Sequence, residues 1–270
     1  MDKIDRAALE LREMDDLAAM RSPVHALHPL AKLITTVIYI IITASFDKYD
    51  LSGLSIMIVY PLLLLAGSGI SPATCFYKMR VALPLVMAVG LFNPLFDRTA
   101  LMTVGGITVS RGVLSMATLM LKGVCCLMAS FVLAATTSMD AVCAALRKLR
   151  VPGTIVTLLL LTYRYIAVMV EELSVMMTAY RLRAPGQKGV HYTAWGSFLG
   201  QLLLRSMDRA GELYDAMQLR GFSGDFYYAD VGKARAADYA FAILTPALLV
   251  LCRCVNIAEA VGRLMMGGGA

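Results

Sequence analysis

Five long apolar runs, near residues 30–46, 51–67, 81–96, 112–136 and 238–257, constrain this chain more than any other feature. A bilayer-crossing helix needs about 20 predominantly apolar residues. The runs therefore predict an all-α integral membrane protein with about five transmembrane helices, the shorter ones requiring a thinned bilayer or tucked ends. Composition agrees, because a hydrophobic fraction of 59%, a charged fraction of 16% and a mean hydropathy of +0.69 lie outside the range of soluble globular chains.

A sixth stretch, 154–170, is apolar enough to cross but carries Arg164 near its centre, which costs roughly 2.5–3.5 kcal/mol on insertion scales. Charge decides its place. With five spans and the amino terminus inside, the cytoplasmic segments 1–29, 68–80 and 137–237 hold 18 of the Lys and Arg residues, whereas the outer segments hold only Lys48, Arg98, Arg111 and Arg263. A sixth crossing flattens that asymmetry, so 154–170 is expected to lie at the cytoplasmic surface. The tail 1–29 mixes acidic and basic residues without an apolar core, so no secretory signal is expected there and the amino terminus stays inside.

The organisation that follows is a cytoplasmic tail (1–29), a four-helix membrane region (30–136), a cytoplasmic module (137–237), a last transmembrane helix (238–257) and a tail (258–270). Within the module, a basic amphipathic segment at 140–150 stops at Val151-Pro152-Gly153. A helical pattern then runs from about 154 to 183 and stops at Ala184-Pro185-Gly186; a second runs from about 197 to 220 and stops at Gly221. In the second, Met207, Ala210, Tyr214 and Met217 recur at helical spacing, with Arg205, Asp208, Arg209, Glu212 and Asp215 on other faces.

Both helices end alike. Ala179-Tyr180-Arg181-Leu182-Arg183-Ala184 and Ala216-Met217-Gln218-Leu219-Arg220-Gly221 share the form Ala-x-x-x-Arg-small. A cation in the last helical turn is favoured by free carbonyls and the helix dipole, so each arginine alone has a structural explanation. Two matched arginine-tipped helices outside the bilayer are the pattern expected of a grip on a soluble partner.

Taken in order, these residues resemble a known family, the transmembrane T component of energy-coupling factor (ECF) transporters, and within it the CbiQ branch that serves cobalt uptake. The resemblance covers about 20–226. It begins with Arg21-Ser22-Pro23-Val24-His25-Ala26-Leu27-His28-Pro29-Leu30-Ala31-Lys32-Leu33 and continues through Leu91-Phe92-Asn93-Pro94-Leu95-Phe96. Thr136-Thr137, Ala145-Leu146-Arg147-Lys148-Leu149-Arg150-Val151-Pro152, Leu161-Thr162-Tyr163-Arg164-Tyr165 and Glu171-Glu172 follow, and the two arginine motifs with Gly221-Phe222-Ser223-Gly224 close it.

The resemblance implies a rigid membrane subunit in the inner membrane of a bacterial or archaeal cell, with two long cytoplasmic helices whose ends enter grooves on two ABC ATPase subunits. Ala179, Arg181, Arg183, Ala184, Ala216, Arg220 and Gly221 take the ATPase-coupling positions. It further implies a substrate-binding, CbiM-like membrane subunit and a small accessory membrane subunit as partners, with ATP and Mg bound by the ATPases and no cofactor in this chain. Cobalt is the cargo of this branch; nickel systems share the component type and vitamin importers use a related one, and a membrane-embedded lipid-modifying enzyme is the rival from another class. Two departures stand out: Ala184 occupies a position where Gly is usual, a pre-proline alanine ending the helix instead, and His28 stands where an aspartate is usual.

Other constellations carry less. Lys122 sits mid-way along the fourth run with no acidic residue in the first four to pair with it, which makes it either an intramembrane functional residue or a side chain that reaches water or carbonyls. His25 and His28 precede the membrane edge and the third histidine, His191, lies in a distant loop, so a metal site is not expected. The six cysteines lack C-x-x-C spacing and read as buried thiols, the methionines as packing, and adjacent Glu171-Glu172 as a solvated face. No P-loop or hydrolase motif occurs, and the dispersed bases argue against nucleic acid.

Overall fold

The computed structural model describes residues 3–96, 100–104, 107–186, 189–224 and 235–254. Arg98, Lys188, Lys233, Arg263, the end of the last predicted span at 255–257 and the tail 258–270 lie outside the described residues. In chain order the helices are α1 (Lys3–Ala18), α2 (Pro29–Ala44), α3 (Leu51–Met57), α4 (Val59–Ser68), α5 (Pro72–Met79), α6 (Leu83–Phe96), α7 (Arg111–Thr136), α8 (Met139–Lys148), α9 (Gly153–Arg183), α10 (Trp195–Leu219) and α11 (Ala236–Cys254). Backbone groups in lipid must be satisfied within the chain, and a helix does this inside each apolar run. The all-α architecture predicted from the runs is present, with one addition, an antiparallel hairpin of β1 (Ala100–Val104) and β2 (Ile107–Ser110) between α6 and α7.

By length and apolarity, Leu51–Ser68, Arg111–Thr136, Gly153–Arg183 and Ala236–Arg253 can each cross a membrane. A fifth is the pair Pro72–Met79 and Leu83–Phe92, bent by 59°. The segment 68–80, counted in the sequence only as a cytoplasmic stretch between spans, thus contains α5, capped by Ser71 with Pro72 in its first turn. Helix α2, formed by the run predicted at 30–46, is apolar but at 16 residues is shorter than these candidate spans.

Contacts divide the chain into two compact units. One comprises 17–137 and 232–270. Its core gathers Tyr39, Leu54, Met57, Tyr60, Cys125, Ala129 and Leu249 from α2, α3, α4, α7 and α11. The run 51–67 is broken between α3 and α4 for a reason legible in its residues. Pro61 has no N–H for the carbonyl four residues back, that of Met57. Tyr39 of α2 takes the orphaned carbonyl, donating its hydroxyl to Met57 O at 2.9 Å, and its ring stacks on Tyr60 at 4.6 Å between centroids.

Helices α2 and α7 cap each other. Lys32, buried near the start of α2, donates to Thr136 O at the end of α7 (2.7 Å), and Lys122 of α7 donates to Phe46 O and Ala44 O at the end of α2. Arg253 of α11 joins that second end, donating to Ser45 O (2.8 Å) with its guanidinium 4.1 Å from the Phe46 ring centre. Each cation meets free carbonyls at the negative end of a helix dipole.

The other unit comprises 1–16 and 138–231. Ser138 caps α8, which ends with Arg150 in the left-handed region (φ 64°); there Val151 N–H bonds Leu146 O (3.2 Å) and Arg150 N–H bonds Arg147 O (3.0 Å), a Schellman closure. Cys143, Val156 and Leu160 form the small core that holds α8 on α9. Burial, with Asp140 beside it, pushes the Cys143 thiol up, away from the reactive thiolate.

Candidate functional site

The site grows from two rods. Helix α9 has 31 residues and α10 has 25, about 46 and 37 Å long at 1.5 Å per residue. They pair as an antiparallel hairpin: Tyr180 meets Phe198 edge-on at 5.5 Å near the connection, and Glu172 pairs with Arg205 further along. Beyond that pair the helices leave an apolar groove of about 450 Å³. Leu158, Leu161 and Tyr165 of α9 face Leu213, Tyr214 and Met217 of α10 across it, and Phe222 closes one end. Ala210 and Arg209 also line it, whereas Met207, from the same apolar series in the sequence, is 63% exposed and outside it.

The antiparallel course puts the two arginines at opposite ends of the hairpin. Arg183 is the last residue of α9, beside the connection, and Arg220 caps α10 one helix length away, on the order of 35 Å. Ala179, Arg181, Arg183, Ala216, Arg220 and Gly221 are all exposed, and Ala184 is half-buried.

The two ends stop by different means. At Gly221 (φ 82°) the chain turns left-handed, Phe222 N–H bonds Met217 O (3.0 Å) and Gly221 N–H bonds Gln218 O (2.9 Å). This is a Schellman motif, and Phe222 supplies the apolar partner for Met217 that accompanies one. At Ala184 the backbone is extended (φ −127°, ψ 67°) because Pro185 follows, and left-handed geometry is deferred to Gly186 (φ 95°).

Residues 20–228 match the family described as cobalt transport protein, CbiQ. The chain belongs to that family. A nickel permease, LarQ, of Lactiplantibacillus plantarum is 30% identical over 115 residues, 43% of this chain and 41% of the relative. The cobalt transport protein CbiQ of Rhodobacter capsulatus is 34% identical over 96 residues, 34% of this chain and 38% of the relative. An uncharacterized protein of Methanocaldococcus jannaschii is 28% identical over 147 residues, 52% of this chain and 50% of the relative. The chain thus matches no more than half the length of these relatives.

In this CbiQ-family chain two residues that composition and spacing did not single out stand next to the arginines and are exposed with them. Leu182 and Leu219 each precede the motif arginine and are 79% and 90% exposed. The signal was in the sequence, since Leu-Arg recurs at the same place in both motifs. Glu172, expected on a solvated face, instead ties α9 to α10 through Arg205.

The pre-membrane motif of the CbiQ-family chain is structural. His28 caps α2 through Nδ1, which accepts from Leu30 N–H (3.1 Å), and the Asp238 carboxylate accepts from His28 N–H (2.9 Å) and Arg235 N–H (2.7 Å). His25 Nε2 donates to Leu17 O at 3.0 Å, and its Nδ1 lies 2.7 Å from Ser22 Oγ. Among the described residues, no three His, Cys, Asp or Glu side chains gather as a metal site. Lys122, the intramembrane candidate, is engaged by the carbonyls of Ala44 and Phe46, so the structure gives it a helix-capping task. The side chains of Asn93, Pro94 and Phe96 lie outside the described residues.

Proposed function

We propose that this protein is the membrane coupling component of an ECF-type ABC importer for cobalt ion. In this reading Ala179, Arg181, Arg183 and Ala184 at one end, and Ala216, Arg220 and Gly221 at the other, seat in grooves on two ABC ATPase subunits that bind ATP and Mg and carry out hydrolysis. The observation that carries it is the pair of exposed Leu-Arg tips at opposite ends of one hairpin, about 35 Å apart. A guanidinium anchors directionally on acidic groups and carbonyls, the leucine fills an apolar recess, and the stiff rods convert a change in groove spacing into movement.

The apolar groove between the rods suits a substrate-binding membrane partner, and CbiQ-family membership makes a CbiM-like subunit the natural candidate. Helix α9 is long and apolar enough to cross a bilayer, but the clustering of Lys and Arg in 137–237 favours the hairpin at the cytoplasmic face of the inner membrane. A nickel cargo is the second reading, favoured by the similarity to a protein named as a nickel permease.

The test is the double variant Arg183→Ala/Arg220→Ala in the intact transporter. The expected result is normal membrane insertion with loss of ATPase co-purification, or ATP hydrolysis no longer tied to uptake. Normal uptake would sink the coupling role, and competition between radioactive cobalt and nickel in the wild type separates the two cargoes.

A further inference from the structure

The geometry points to a single buried water molecule bound where α2, α4 and α7 meet. A cavity of about 10 Å³ lies there, with Lys32 and Thr36 of α2, Tyr60 of α4 and Thr136 of α7 as its polar lining. One water needs roughly 10–15 Å³ of such space and two to four polar partners. All four residues are buried: Tyr60 is 8% exposed, Lys32 5%, Thr36 3% and Thr136 3%.

Their hydrogen-bond accounts are not closed. Tyr60 Oη is buried with no partner that meets full hydrogen-bond geometry, the Thr36 side chain acting on it from close by, and the tilted ring contact with Tyr39 holds it in place. An ammonium has three N–H donors, and Lys32 gives one to Thr136 O at 2.7 Å. Thr136 Oγ1 donates to Val132 O (2.7 Å) and keeps its lone pairs. A water accepting from Lys32 and donating to Tyr60 Oη satisfies the phenol and uses a spare donor at once. Among the described residues, Thr43 Oγ1 and Thr137 Oγ1 also lack a partner by hydrogen-bond geometry, and neither lines this cavity. Asp238 is an opposite charge acting on Lys32, so a neutral occupant is proposed here rather than an anion.

Thermal unfolding of the full chain in detergent tests the site, comparing wild type with Tyr60→Phe, Thr36→Val and the double variant. With a bridging water, each single change lowers the apparent Tm by about 2–4 °C; the double variant falls by less than the sum, which a direct Thr36–Tyr60 contact would also give and which the density map separates from it. An unchanged or raised Tm in Tyr60→Phe would show that the hydroxyl was merely unpaired and would overturn the proposal. So would a wild-type Tm that drops when chloride is replaced by gluconate, which would make the occupant an anion. A cryo-EM map of the unmodified protein gives an independent readout: a density peak within hydrogen-bond reach of Lys32 Nζ and Tyr60 Oη supports the water. Its absence at a resolution where other buried waters appear removes it.

Discussion

Gly221 and Ala184 hold corresponding places in the two arginine motifs, yet only Gly221 has a backbone that a side chain would strain. At φ 82° an L-residue costs about 1–2 kcal/mol, although a Cβ there would meet nothing within 4 Å. Gly221→Ala is therefore expected to loosen the last turn of α10 without any clash, seen as faster hydrogen exchange at the Gly221 and Phe222 amides. The counterpart Ala184→Gly should leave exchange at the end of α9 nearly unchanged, because Pro185 sets that conformation. Equal responses at both ends would contradict the two capping geometries. The difference was half legible beforehand: Pro185 announced the stop, but the extended conformation of Ala184 is seen only in the backbone.

At the scale of elements, glycine also sets how closely helices approach. A Cβ on Gly123 of α7 would lie 2.5 Å from Val86 Cγ1 of α6, and Gly90 of α6 faces Met116, Leu119 and Met120. Small residues bring helices together in a membrane, where lipid tails are as apolar as leucine and close packing does much of the holding. Gly123→Val should push α6 off α7 at a cost of about 1–3 kcal/mol. Disulfide trapping between cysteines placed along the two helices would report it, and unchanged trapping would count against this contact. Much of this scale was readable from apolar periodicity and stop signals, which located α7, α9 and α10 to within about two residues. The features that escaped are those made by distant partners. The break at Ile58 follows from Pro61, but only Tyr39 explains why it is tolerated, and neither the reciprocal lysine caps nor the Glu172–Arg205 pair has a local signature. The bend between α5 and α6 was hidden by the polar residues of α5, which fell in a stretch counted only as lying between spans.

For the whole molecule, the chain builds one unit from 17–137 and 232–270 and inserts most of the other between those stretches. The inserted hairpin carries the exposed tips, so changes there should spare the fold. Under the proposed coupling role, Leu182→Ser and Leu219→Ser are each expected to leave expression and melting of the isolated chain unchanged while weakening recovery of the proposed ATPase partners several-fold in pull-downs. Loss of the folded chain itself would instead assign these leucines to internal packing. The tips also differ in the path of the chain leaving them, one fixed by a proline and the other by a left-handed glycine. Under the proposed assembly, two identical ATPase subunits could not receive the same plug. Their equivalence would be broken on docking, giving the motor a left and a right hand before any ATP is bound.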